Sequence, residues 1–163
     1  MTAVESHKGE NIMTITPNTL FSSGAVYTAD QANRFPRGVM QYNTNSTTDA
    51  SVTAEEIQIT LSAFTGVAGR LYRVSYYEPG FGSSTSAAMT MRIRLTNLAG
   101  AVQQAGIIFN TGTQQQNGFI QNVVSFTGST VLVATLQNSA GTGSANRSAT
   151  SQAVLIVEDI GAS

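Results

Sequence analysis

The sequence predicts an all-β protein: an antiparallel β-sandwich or jelly roll of about eight strands, preceded by an extended N-terminal arm with one short helix. Three observations predict it. From Gly38 onward, apolar and neutral polar residues alternate with period two, the spacing expected of a strand with one buried face. Glycines and a Pro-Gly step separate the alternating runs at turn positions. No stretch carries apolar residues at helical spacing over more than one or two turns.

Residues 1–37 read as the arm and residues 38–163 as the sandwich. Met1 to Asn11 is polar and reads as a loose tail, and Met13 offers a second start. Met13-Thr-Ile-Thr is short and extended, with Pro17 after it. Thr28-Ala-Asp-Gln31 has the form of a capping box, opening one or two helical turns through Asn33 that stop before Pro36. The arm's apolar residues have no periodic face, so they build no core alone; they are expected to lie on a neighbour or on the body of the domain. In the sandwich, Ile57, Ile59, Leu61 and Ala63 alternate with polar residues, as do Tyr72, Val74 and Tyr76. Met89, Met91, Ile93 and Leu95, interleaved with Thr90, Arg92, Arg94 and Thr96, form the clearest case. Further strands are expected at 39–43, 102–109, 119–126, 130–137 and 153–159. Turns are expected at Gly66, Gly69, Pro79-Gly80, Gly82, Gly100, Gly112, Gly118, Gly128 and Gly141/Gly143. Val131–Ala134 and Ala153–Val157 are apolar on both faces, which fits a central strand or one pressed against a second subunit. This favours a homo-oligomer.

Composition narrows the function. The chain has 163 residues, within the range of one domain that holds a core without staples, and no Cys. Disulfides, thiolate catalysis and Cys-based zinc sites are therefore excluded. Only 10% of residues are charged, against about 25% in ordinary soluble domains. Small neutral polar residues take their place, giving a surface that costs little to desolvate and tolerates changes in salt. A net charge of −1 gives no electrostatic basis for binding nucleic acid or an anionic membrane. No apolar run is long enough to span a bilayer, and no apolar signal segment opens the chain, so a product made in the cytosol is expected.

Few residues offer chemistry. His7, the single histidine, lies in the polar tail, where it is expected to be solvated rather than oriented by a buried carboxylate. Glu55-Glu56 and Glu158-Asp159 are adjacent pairs; on strands their side chains point to opposite faces and do not converge on one bond. They are expected to be solvated. No acid lies between Glu78 and Glu158, and no nucleotide-binding glycine motif occurs. Gly80-Phe-Gly82 before Ser83–Ser86 reads as a flexible hairpin tip, and Gln114–Asn117 and Gly141–Asn146 as exposed loops. Arg92 and Arg94 share one strand face, with Arg70 and Arg73 on another strand. These guanidinium groups suit either a partner's carboxylates or cross-strand pairing with Glu55, Glu56 or Glu78. No cofactor and no metal are expected, and no enzyme.

Four short motifs occur in order: Phe35-Pro-Arg-Gly-Val-Met-Gln-Tyr42, Val67-Ala-Gly-Arg-Leu-Tyr-Arg-Val74, Met91-Arg-Ile-Arg94 and Leu155-Ile-Val-Glu-Asp-Ile-Gly161. Together they resemble small structural proteins of tailed bacteriophages: head decoration (cement) proteins, minor tail proteins and fibre tips. The resemblance covers roughly residues 28–161. It implies a virion protein made in the host cytoplasm, assembled as a trimer or other small oligomer. Its partner would be the major capsid protein or, alternatively, tail proteins. The residues expected at a partner interface are Leu20, Phe21, Val26, Tyr27 and Phe35 of the arm, Arg37 at its end, and Arg92 and Arg94.

Overall fold

The computed structural model describes residues 26, 28–111 and 114–163. Within them the chain forms one helix, α1 (Ala29–Arg34), and twelve strands. The strands are β1 (Gly38–Asn45), β2 (Asp49–Val52), β3 (Glu56–Thr60), β4 (Phe64–Gly66), β5 (Arg70–Ser83), β6 (Ala87–Leu95), β7 (Val102–Asn110), β8 (Gln116–Val124), β9 (Gly128–Thr130), β10 (Leu132–Asn138), β11 (Gly143–Ala145) and β12 (Ala153–Ala162). The helix starts where the capping box predicts, with the Ala32 N–H donating to the Thr28 carbonyl at 3.1 Å.

Two antiparallel sheets face each other, so the protein is a β-sandwich. The first contains β1, β12, β5 and β8 side by side, with β11 and β2 continuing the β12 side along the second half of β5. The second runs β3-β10-β6-β7, and β4 with β9 forms a small third ladder. The period-two pattern does what it predicts: Tyr72, Val74, Tyr76, Met89, Met91, Ile93, Leu132, Leu136, Leu155 and Val157 point between the sheets and are buried. Each such side chain contributes about 1.5–3 kcal/mol by leaving water. At one end Phe64, Tyr72 and Phe126 pack with ring centroids 5.5–6.1 Å apart.

The turn predictions fail in three places. Pro79, Gly80 and Gly82 lie inside β5, which runs unbroken to Ser83, and Phe81 is fully buried rather than at a flexible tip. Pro79 fits there because β5 changes partner at that point. Its pairing with β12 ends at Tyr77, that with β11 begins at Phe81, and the β8 register shifts between Glu78 and Phe81. Gly118 lies inside β8, facing the core: a Cβ there would sit 2.1 Å from the Met91 sulfur. Gly106 on β7 is alike, with Ile120 filling the space. The expected loop 141–146 contains β11, whose Ala145 is buried.

Where the two sheets' edges meet, side-chain amides join them. At one seam Asn43 and Asn45 of β1 donate to the carbonyls of Thr60 and Gln58 at 2.9 and 2.8 Å. At the other, Gln104 of β7 donates to the Gln121 carbonyl at 3.0 Å and Asn122 of β8 to the Gln103 carbonyl at 2.7 Å. Part of the neutral amide content thus closes the sandwich rather than covering its surface.

Candidate interaction surface

Any glycoside hydrolysis would need two convergent carboxylates. Glu55 stands just before β3 and reaches over the outer face of the second sheet. It accepts from Nε and Nη2 of Arg94 at 2.7 and 2.8 Å and from the Thr135 hydroxyl at 2.6 Å, with Arg92 at 3.2 Å. Those contacts, the Arg94 hydrogen bonds foremost, hold its carboxyl down to about 2. Glu56 turns the other way, toward Asp49. Burial and that neighbouring carboxylate raise its pKa, while the Gln58 amide lowers that of Asp49. The divergence expected of Glu55-Glu56 is present.

Deeper in, Glu78 is fully buried and bound at both oxygens by Arg147, at 2.8 and 2.6 Å, with the Tyr76 hydroxyl donating at 2.7 Å. Burial, then the Glu78 charge, pushes the Tyr76 hydroxyl well above its usual range. Glu158 and Asp159 also diverge, but the expectation of two solvated carboxylates is corrected. Asp159 is 1% exposed and paired with Arg70 on β5. Burial opposes its charge, yet Arg70 holds its carboxyl below the usual range. Glu158 pairs with Arg73 at 2.8 Å. Among the described residues no group of three or more His, Asp or Glu is placed to hold a metal, and no helix is long and apolar enough to cross a membrane.

Arg70 also donates to the backbone carbonyls of Asn33 and Phe35, which fastens the end of α1 to the corner where β5 starts and β12 ends. Three of the four sequence motifs meet here: Phe35 from the first, Arg70 from the second, Asp159 from the fourth. Their shared role in this chain is a structural clamp. Gly161 belongs to it, since its φ of +119° turns the chain at a bulge and its N–H donates to Asp159 at 2.9 Å.

The residues expected at an interface are dispersed. Leu20, Phe21 and Tyr27 lie outside the described residues. Val26 is 84% exposed before α1, and Phe35 is 45% exposed beside the clamp. Arg37 is exposed and lines an open cleft of about 420 Å³ with Arg34, Gly69 and Ala162. Arg92 and Arg94 end on Glu55 within the chain, in the cross-strand arrangement. Arg70, grouped with them in sequence, is buried on the other sheet.

What sequence reading missed is the outer face of the first sheet. The register sets its outward residues in three rows across β1, β12, β5 and β8: Val39–Glu158–Arg73–Val123, Tyr42–Ile156–Ser75–Gln121 and Thr44–Val154–Tyr77–Phe119. Tyr42 is 65% and Phe119 60% exposed, with Val39, Val123 and Tyr77 also exposed. One cation and one anion, paired with each other, are the face's charges. The doubly apolar strands now separate. On β10 the outward Val133 and Thr135 are buried beneath the Glu55 cluster of the same chain. On β12 the outward Val154 and Ile156 are only half-buried.

No protein-family model matches the chain, and no curated protein does. Solved structures do. The carbohydrate-binding module CBM6cm-2 from Cellvibrio mixtus lichenase 5A, solved with cellotriose, is 14% identical over 75% of this chain and 87% of its own, with a TM-score of 0.36. The enzymatically active domain of bacteriophage CBA120 tailspike protein 4 is 12% identical over 73% of this chain and 19% of its own, at 0.30. A chain of infectious bursal disease virus, Gx strain, is 14% identical over 75% of this chain and 37% of its own, at 0.29.

Proposed function

We propose that this chain is a non-catalytic structural protein of a bacteriophage virion, a head decoration (cement) protein that binds and stabilises the shell as an oligomer. The observation that carries the reading is the outer face of the first sheet, broad, apolar and net-neutral. Contiguous apolar surface of this kind marks contact with protein. Four of the acids support it: Glu55, Glu78, Glu158 and Asp159 are each held by an arginine of the same chain, as structural ion pairs are. The order of the four motifs supports the phage setting. The partners are the major capsid protein and further copies of this chain, without nucleic acid, membrane or cofactor. Electron microscopy of virions labelled for this protein tests the location; label over the whole head is expected, and label confined to the tail end would overturn it.

A second reading, a minor tail or fibre-tip module that binds a host glycan or receptor, rests on one pair. Tyr77 and Phe119 are register partners on neighbouring strands and both are exposed, two aromatic side chains on which a sugar could stack. Its loop basis is reduced, because Gly80–Ser83 is buried strand. Binding of the isolated protein to host cells, with tail-end label, is the result that would favour it.

A further inference from the structure

The outer face of the first sheet is complementary to itself. Take an axis running along the strands midway between β12 and β5, and turn a second copy by 180° about it so that the two faces meet. Each residue of one copy then lies opposite the residue equally far across the axis, in the same row of the other. Arg73 falls opposite Glu158 and Glu158 opposite Arg73, so the face's cation and anion each meet their opposite twice. In three of the facing pairs a large side chain meets a smaller one: Ile156 falls over Ser75, Tyr77 over Val154, and Phe119 over Thr44, while Tyr42 meets Gln121. Strands stay aligned under this operation, the common geometry of face-to-face sheets about 10 Å apart. Such a contact is isologous and closes on itself.

We propose that two copies of this chain associate through this face, across a two-fold axis along β12 and β5. The proposal rests on the oligomeric part of the reading above and is independent of where in the virion the protein sits. A second copy is favoured over a sugar because the face carries aliphatic side chains, Val39, Val123, Val154 and Ile156, beside its rings, whereas sugar faces stack on aromatic ones. It is favoured over an unrelated protein by the charge arrangement. Val154 and Ile156, left half-buried on a central strand, become covered.

Light scattering and sedimentation of the purified full chain provide the test, with Arg73→Glu and Glu158→Arg made singly. Arg73 and Glu158 lie on the surface, so both variants are expected to keep the wild-type circular dichroism. Wild type should show twice the chain mass. Each single variant should be monomeric at the same concentration, its dimer weakened roughly a hundredfold by like charges placed opposite one another. Mixed one to one, the variants should form a heterodimer, because a face with two carboxylates then meets a face with two guanidinium groups. A monomeric or trimeric wild type would overturn the proposal, as would single variants that dimerise like wild type or a mixture that stays monomeric. None of those results would change the label position that tests the virion reading.

Discussion

At the scale of single residues, the buried ion pairs set the strongest demands. Replacing Arg147 with Met leaves the Glu78 carboxylate in the core with the Tyr76 hydroxyl as its remaining side-chain partner. Urea unfolding of Arg147→Met should show a loss of about 3–5 kcal/mol, and the double variant with Glu78→Leu should lose markedly less, because no charge is then stranded. Glu55 governs acid sensitivity. Its folded pKa of about 2 lies below its ordinary 4.5, so its contribution is complete above pH 4.5 and is lost as pH falls from there toward 2. Unfolding midpoints measured between pH 5 and pH 2.5 should fall less steeply in Glu55→Gln, which starts less stable at pH 7 by about 1–3 kcal/mol. Neither partnership was legible in the sequence beyond a choice. Glu55, Glu56 and Glu78 were all open to Arg92 and Arg94, and register alone selects Glu55. Arg147 gave no signal, since it follows a run of Gly, Ser and Ala that reads as loop.

At the scale of elements, the long strands were legible and the short ones were not. The eight runs expected as strands match β1, β3, β5, β6, β7, β8, β10 and β12. Strands β2, β4, β9 and β11, of three or four residues, are too short for a period to show. Gly118 and Pro79-Gly80 misled because turn chemistry and strand chemistry overlap where a glycine admits a neighbour's side chain or a proline sits at a partner change. Gly118→Ala should therefore cost about 1–3 kcal/mol through crowding of Met91 and Ile108, read as a fall in the thermal unfolding midpoint. The amide stitches give a second element-level expectation. They occupy carbonyls on the edges of β3, β7 and β8, which would otherwise offer pairing sites to other chains. Asn43→Ala with Asn45→Ala should lose about 1 kcal/mol per hydrogen bond, and light scattering on heating should show aggregation at a lower temperature than in wild type.

At the scale of the molecule, low charge, period-two patterning and the lack of convergent acids already pointed to a β-sandwich that works by contact. The contact surface itself was half visible. Val154 and Ile156 marked β12 as apolar on both sides, but Tyr42, Tyr77 and Phe119 are separated in sequence and join them only once β1, β12, β5 and β8 take their register. The arginines of the clearest strand drew attention to the wrong sheet, because their acid partner lies 39 residues away from Arg94 and folds over it. A protein built this way, with its ion pairs closed within the chain and one net-neutral face left open, suits repeated assembly on a larger shell. The copy number per virion, from quantitative mass spectrometry of purified particles, tests that most directly. Tens to hundreds of copies are predicted; three to six copies, or none, would contradict a decoration protein of the head.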